Sequence, residues 1–405
     1  VLDFTVFTAR KKLSLNARDW SPGSSGRFQL QKGVQISRDK DMVAMLARKY
    51  RGVVEVQPQP MHIQDSLPLE AWGRLKDHSG KALFLSPTRA IGDNVMLICA
   101  LSALKETNPG LSIHVAFVGD SFPLYTAAPS LKVHPYFLSE AEIGGFDVLV
   151  DLDRLSAWDS LIFEPFDIEA ALLQRFGVPP SGAYPGLGRP YRDDGRPAVR
   201  MFPLASSPLR TLPVETTRAL AAAAAQAADV EIVLAKGQLG SERYRGLLSD
   251  GLPSGVAVTA GCRDLKELAR KVESADFGIF ADSGPSHIAK LYETPGVTVF
   301  TSATSGPLIG RFANLMAWQT PYSGARCTAP CGLATYLRTP AGRGGCWETL
   351  GGARQDYVKT RDLWDPEEYL ALMFDRPVPC VGALAERTGD LVNAVAAEIA
   401  RRCAR

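Results

Sequence analysis

The chain has 405 residues, too many for one ordinary hydrophobic core, so two or three domains are expected. Its formal charge is +2, and no run of lysine and arginine is interleaved with aromatics, which gives no support for a nucleic-acid-binding face. No stretch approaches the roughly 20 apolar residues of a membrane span. Seven cysteines at unequal spacing argue against a secreted disulfide framework, and the reading is a cytoplasmic protein.

Residues 1–80 read as a small β-rich accessory module. Phe4-Thr5-Val6-Phe7-Thr8 and Phe28-Gln29-Leu30-Gln31 alternate as short strands do, with a Ser/Pro/Gly turn over 21–26 between them. Val53 to Val56 is a further strand candidate, and Asp41 to Tyr50 a helix. Packing and partner recognition are both open as roles for this module. Its unpaired strand edges make a homo-oligomer an expectation.

From Lys81 the pattern changes to α/β. Ala82 to Pro87 reads as a strand, Thr88 to Asn94 as a loop and Val95 to Leu104 as an apolar helix. Strands follow at Ser112–Gly119 and Phe146–Asp153. Strands alternating with helices imply a parallel sheet covered on both faces. The stretch Pro179 to Arg196, rich in Pro, Gly and Tyr, reads as a linker, which closes a domain over 81–190.

A second α/β region fills 191–405. Its strands are Ala198–Leu204, Val230–Leu234, Phe277–Ala281 and Gly296–Phe300. Helices are expected at Arg218–Ala228, Ser241–Leu248, Leu265–Val272 and Asp390–Arg402. An irregular cysteine-bearing insertion occupies about 320–382.

The most informative stretch is the turn after Ala281. Asp282, Ser283 and Gly284 form it, and Pro285 suits the start of a helix. Free N–H groups and the positive end of the dipole favour an anion there. Ser283 and Ser286 add hydroxyls, and His287 can donate to a phosphate oxygen. An ordinary βα turn with a capping serine fits the same residues. The upstream loop around Ala90-Ile91-Gly92-Asp93 is a second turn of this kind, as a two-lobed enzyme with a cleft requires.

Asp282-Ser283-Gly284-Pro285-Ser286-His287-Ile288-Ala289-Lys290-Leu291 resembles the D-[ST]-G-x-x-H-x-x-x-L signature of glycosyltransferase family 9, the bacterial ADP-heptose heptosyltransferases. Four further segments resemble the family in the right order. They are Ala90–Asp93, Phe146–Leu152, Phe202–Pro213 (where the family has a small-residue loop and K-x-W-P) and Pro307-Leu308-Ile309-Gly310. The resemblance covers about 81–400 and leaves the first 80 residues uncovered.

The resemblance implies a GT-B fold: two Rossmann-like domains with a deep cleft between them, the acceptor held by the N-terminal domain and the nucleotide sugar by the C-terminal one. It implies metal-independent, inverting transfer from ADP-heptose to an acceptor hydroxyl. Asp93 matches the catalytic carboxylate, which takes the acceptor proton, and capping the Asn94–Leu104 helix is its alternative role. Donor contacts are implied for Ser206, Ser207, Arg210, Glu242, Asp282, Ser283, Gly284 and His287. Arg210 departs from the family's lysine and Leu212 from its tryptophan, and Glu242 reads equally as a solvated acid at a helix start. Asp151-Leu152-Asp153, which looks like a D-x-D metal site, reads instead as acids ending a buried strand. His62, His78, His114 and His134 share no spacing and read as structural or surface residues.

Family members acting on autotransporter serines carry an extra N-terminal module and a cysteine cluster, as this chain does, so the resemblance leans to a protein acceptor. The lipopolysaccharide inner core is the alternative acceptor. Another GT-B sugar-nucleotide enzyme and a non-catalytic sugar-nucleotide-binding subunit are the remaining readings. Cys327, Cys331, Cys346 and Cys380, spaced C-x3-C-x14-C-x33-C, read as a structural iron or zinc site, although two wide gaps are unusual for zinc. An iron-binding finger after the last core strand is also what the resemblance to the autotransporter-directed members implies.

Overall fold

The computed structural model describes residues 3–16, 27–30, 32–37, 40–57, 61–62, 66–86, 88, 90–117, 121–134, 138–152, 168–180, 196–236, 238–325, 327–331 and 366–403. The expected turn at 21–26, most of the linker at 179–196, and Asp153 and Cys346 lie outside these residues. Two compact units result: Val1–Trp158, Ile168–Leu187 and Asp264–Ala269 form one, and Asp159–Asp167, Gly188–Arg263 and Arg270–Arg405 the other.

The first unit opens with an antiparallel sheet. Strand β1 (Asp3–Ala9) pairs with β4 (Gly33–Ser37) and β5 (Val54–Val56), and its start pairs with β6 (Met61–His62). β2 (Leu13–Asn16) and β3 (Arg27–Leu30) form a separate hairpin, and α1 spans Lys40–Lys49. A parallel sheet follows, built from β7 (Gly80–Leu85), β8 (Leu111–Ala116), β9 (Lys132–His134) and β10 (Val148–Asp151). Their order is β10-β7-β8-β9, so the connection reverses direction between β7 and β10.

Helix α2 (Ile91–Thr107) follows β7 and is buried continuously from Asn94 to Leu104. That is the sequence of a helix hydrophobic all round, which must sit inside rather than on a surface. The short helices α3 (Phe122–Tyr125) and α4 (Glu140–Ile143) follow, then α5 (Ile168–Phe176). A 3-10 helix at Leu69–Asp77, not expected from the sequence, packs Trp72 on Phe176 of α5 with ring centroids 5.9 Å apart. The N-terminal strands share a core with the parallel sheet, where Val6 and Ile36 cluster with Leu83, Leu85, Leu138 and Leu149. Ile36 and Leu138 also exchange two backbone hydrogen bonds, of 2.9 and 3.1 Å.

The second unit is a six-stranded parallel sheet in the order β13-β12-β11-β14-β15-β16. The strands are β11 (Ala198–Phe202), β12 (Asp229–Val233), β13 (Ala257–Thr259), β14 (Phe277–Ala281), β15 (Gly296–Phe300) and β16 (Leu315–Gln319). In chain order this reads 3-2-1-4-5-6, the doubly wound Rossmann arrangement with its switch point between β11 and β14. Every residue of β14 and β15 is buried, as a strand covered on both faces requires. The helices that follow these strands along the chain are α6 (Val214–Ala225), α7 (Ser241–Ser249), α8 (Leu265–Glu273, divided between the two units after Ala269), α9 (Gly284–Leu291) and α10 (Ser305–Ile309). The fold class is α/β, with a parallel sheet in each unit.

Two helix starts and the reading of one histidine pair differ from expectation. α2 begins at Ile91 and not at Asn94, because Ile91 and Gly92 join the helix; Asp93 is thus a first-turn residue and not its cap. α6 begins at Val214, straight after Pro213, because Pro213 supplies a fixed φ at the helix entry. Its small side chains do pack closely, with Ala221 and Ala224 in one core with Leu391, Val395 and Ile399 of the terminal helix Thr388–Cys403. Finally, His114 and His134 are not independent residues. They lie on adjacent parallel strands and stack at 5.0 Å, with Nδ1 of His114 2.7 Å from Nε2 of His134. Strand pairing creates that contact, and no sequence spacing encodes it.

Candidate functional site

In an open parallel sheet, ligands bind beyond the carboxyl ends of the strands at the switch point. The loops following β11 and β14 occupy that place in the second unit. The β14 loop begins with Asp282, 2% exposed, and Ser283, whose extended backbone caps α9 at Gly284. Ser283 Oγ donates to the Ala281 carbonyl at 3.3 Å. The Ser286 hydroxyl and amide both donate to the Ser283 carbonyl, at 2.7 and 3.0 Å. This turn is therefore rigidly tied to itself.

The β11 loop delivers Arg210 to the same turn. Its Nη1 donates to the Asp282 carbonyl at 2.8 Å and lies 3.5 Å from Asp282 Oδ2, while Nη2 donates to Ser206 Oγ at 3.0 Å. Arg210 Nε and Asp282 Oδ2 are buried with no hydrogen-bond partner among the described residues. Buried polar atoms are rarely left so, and a bound polar ligand is one physical reason for it. Ser206 is exposed beside them. Ser207 turns inward: its Oγ accepts from Leu209 N at 3.3 Å and its carbonyl accepts from the Thr211 hydroxyl at 3.1 Å, which makes it a strut of the loop.

His287 lies on the first turns of α9, 8% exposed, with Nδ1 2.9 Å from the Lys290 ammonium. Burial, then the charges of Lys290 and Arg210, hold its pKa well below the ordinary 6.5, so the ring is neutral near neutral pH. The structure thus brings Ser206, Arg210, Asp282, Ser283, Gly284 and His287 to one switch point. Glu242 stands apart. It lies in the first turn of α7 with its side chain 75% exposed and ion-paired with Arg245.

Sequence reasoning missed Gln238 and Tyr369, which back the β11 loop. The Gln238 amide donates to the Ala205 carbonyl and lies 3.5 Å from the Tyr369 hydroxyl. It also missed Lys290, although a charge inside an apolar helix, three residues after a histidine, is a legible signal.

In the first unit, the loop after β7 occupies the corresponding switch point. Asp93 Oδ2 accepts from the Thr88 hydroxyl at 2.7 Å, and Thr88 Oγ1 in turn accepts from Ala90 N at 3.1 Å. Asn94, fully buried, donates to the carbonyls of Thr88 and Ala90 at 3.1 and 3.0 Å and accepts from the Tyr125 hydroxyl at 2.9 Å. These bonds fix the loop that presents the Asp93 carboxylate. Asp151 is a buried residue that ends β10.

Of the four singled-out cysteines, three fall among the described residues. Cys380 belongs to a small core with Leu209, Val378 and Val381, and Cys331 packs against it. Burial, and then the neighbouring Cys331 and Cys327, push the Cys380 thiol up to about 12. Among the described residues, no group of three or more His, Cys, Asp or Glu is arranged as a metal site. Nor is any described helix long and apolar enough to cross a membrane.

Residues 162–319 match the family model Glycosyltransferase family 9 (heptosyltransferase). The segments Phe202–Pro213, Asp282–Leu291 and Pro307–Gly310 lie inside this match, whereas Ala90–Asp93 and Phe146–Leu152 precede it. No curated protein matches in sequence. Among solved structures, the chain is similar to the iron-containing dodecameric glycosyltransferase TibC from enterotoxigenic E. coli H10407, at 12% identity and TM-score 0.47, over 99% of this chain and 92% of that one. It is also similar to E. coli heptosyltransferase WaaC with ADP, at 14% identity and TM-score 0.43, over 59% of this chain and 91% of that one.

Proposed function

We propose, for a chain that carries a domain of glycosyltransferase family 9, that it moves heptose from ADP-heptose to a hydroxyl group with inversion at the anomeric carbon. The observation that carries this reading is the convergence of Arg210, Asp282 and His287 at the Rossmann switch point, inside the segment that matches the family model. A guanidinium there neutralises a diphosphate and can bind it bidentately. Neutral His287 adds an N–H donor without adding charge. Asp282 suits the hydroxyls of the sugar or ribose, which can donate to its carboxylate. Glu242 is retained as a ribose contact only if its pairing with Arg245 opens.

The reaction divides into few parts. The Asp93 carboxylate takes the acceptor's hydroxyl proton as its oxygen attacks the anomeric carbon. The bond to the diphosphate breaks, ADP leaves with the electron pair, and attack opposite the leaving group inverts the centre. Arg210 and His287 stabilise the charge on the departing diphosphate. No metal is required in this scheme. The acceptor reading favours serine hydroxyls of an autotransporter, supported by the N-terminal module and the cysteine-bearing segment. The cytoplasmic reading rests on cysteine usage. A homo-oligomer is proposed from the N-terminal sheet, where Val34 and Val56 are 43% and 38% exposed.

The test is incubation of the full chain with ADP-heptose, an autotransporter fragment and truncated lipopolysaccharide, with chelator present. Mass spectrometry reads which acceptor gains a heptose. Gain on the lipopolysaccharide alone reassigns the acceptor, and no gain on either together with no ADP release removes the transferase reading.

Structural iron or zinc on Cys327, Cys331, Cys346 and Cys380 is proposed alongside. The support is the sequence spacing of the four thiols and the position of Cys331 beside the small core that holds Cys380. Elemental analysis of protein purified without chelator should find about one equivalent of metal, and less than about a tenth rejects the site.

A further inference from the structure

We propose that Lys290 is a positioning residue for His287: its ammonium holds Nδ1 as an acceptor and thereby fixes the ring proton on Nε2, which donates to a phosphate oxygen of the nucleotide. The ligand in this statement rests on the function proposed above, and the tautomer rests on geometry alone.

Lys290 is 1% exposed, on the same helix and three residues from His287. Its Nζ lies 2.9 Å from Nδ1 and 4.6 Å from the centroid of the Phe312 ring. An ammonium has three donors and no acceptor, so the imidazole nitrogen facing it must accept. The aromatic face beneath favours the charged form of the lysine. Burying a lysine among Ile288, Ala289 and Leu291 costs desolvation, and a hydrogen bond that sets a ligand-facing group is a specific return for it.

Arg210 is the other cation near the ring, and a protonated imidazole between two cations is disfavoured. The neutral ring then has two tautomers with opposite chemistry. With the proton on Nε2 it offers a phosphate a preorganised donor; with the proton on Nδ1 it offers a lone pair and repels the anion. Lys290 selects the first.

The experiment is nitrogen-15 NMR of the histidine rings in the full-length protein near neutral pH. The chain has five histidines, and the His287 ring is assigned by its loss in His287→Gln. The expected result is a single tautomer with Nδ1 unprotonated and Nε2 protonated. A proton on Nδ1, or an imidazolium, overturns the proposal directly on the wild-type protein, whatever the variants do. Lys290→Met should mix the tautomers, whereas Lys290→Gln, which keeps an amide donor, should preserve the single one. An unchanged tautomer in Lys290→Met also overturns it.

Calorimetry with ADP reads the consequence. Lys290→Met should bind about tenfold more weakly, and Lys290→Gln should keep most of the affinity. Mixed tautomers with unchanged ADP affinity sever the link to phosphate. Wild-type protein that binds no ADP removes the nucleotide reading itself, and the ring-nitrogen signals still decide the tautomer.

Discussion

At Arg210 the guanidinium is divided between the Asp282 carbonyl, the Asp282 carboxylate and the Ser206 hydroxyl. Removing it has two separable consequences. Arg210→Met leaves a buried carboxylate unpaired, which costs about 3 kcal/mol of stability, and it removes a phosphate contact. Adding Asp282→Asn should recover the stability, measured by urea unfolding, without recovering ADP affinity. Recovery of both would show that the arginine acts only through the fold. Asp93→Asn makes a cleaner case, because the amide oxygen still accepts from the Thr88 hydroxyl. Transfer should fall by about 10²- to 10⁴-fold with ADP affinity unchanged, and a variant at full rate removes Asp93 as the base. These residues were legible because motif and chemistry agree at them. Asn94 and Tyr125, which hold the Asp93 loop, were not, since an asparagine in a helix and a distant tyrosine carry no shared pattern until the fold joins them.

The legibility of whole elements followed burial. The β14 strand was read from Phe277 to Ala281 as found, because a short apolar run between polar turns has few alternatives. The start of α2 was misplaced because Gly92 reads as a turn residue, and only a helix buried on all sides overrides that propensity. β16 and the helix Pro379–Glu386 were not read at all. Inside the sheet, glycine has a packing role the sequence does not announce. Gly278 and Gly296 are paired across β14 and β15, and the Phe280 ring lies over them, stacked on Phe202 at 5.4 Å. A Cβ on Gly296 would stand 2.4 Å from the Gly278 carbonyl oxygen and 2.7 Å from the Phe280 ring. Gly296→Ala should therefore cost about 3 kcal/mol, since backbone cannot yield as a side chain can. Gly246→Ala in α7, where a Cβ meets nothing within 4 Å, should instead be neutral or stabilising by about 0.5 kcal/mol. Urea midpoints of the two variants should move in opposite directions or differ clearly, and equal shifts would refute the packing account.

At the scale of the molecule, two α/β regions and an N-terminal β module were readable from the alternation of strands and helices. The shared core of Val6 and Ile36 with the first parallel sheet was not, because it joins distant segments. That same unit carries the His114–His134 pair, and it makes stability depend on pH. Burial, then His134, Lys132 and Lys81, lower the His114 pKa from 6.5 to about 4. Burial also leads the lowering of His134, and His287 in the second unit is lowered well below 6.5. The bonds around His114 show why protonation is resisted. Lys132 donates to Ser112 Oγ, which lies 3.1 Å from His114 Nε2, and the facing nitrogens His114 Nδ1 and His134 Nε2, 2.7 Å apart, share one proton. A second proton would set two donors against each other. All three histidines have folded pKa values below the unfolded one, so the unfolded chain binds more protons as pH falls below 6.5. Their stabilisation is complete above that value and is lost as pH falls below it; for His114 the loss runs from 6.5 to about 4 and amounts to at most about 3 kcal/mol. Glu398, held at about 2 chiefly by the Arg401 hydrogen bond, contributes stability that is full above the usual carboxylate range and is lost only as pH falls towards 2, so it cannot produce the same window. The urea midpoint of the full chain should fall between about pH 7.5 and about pH 5, and His114→Gln should flatten part of that slope. A midpoint constant across the interval would show that these rings gain protons in the folded state as readily as in the unfolded one.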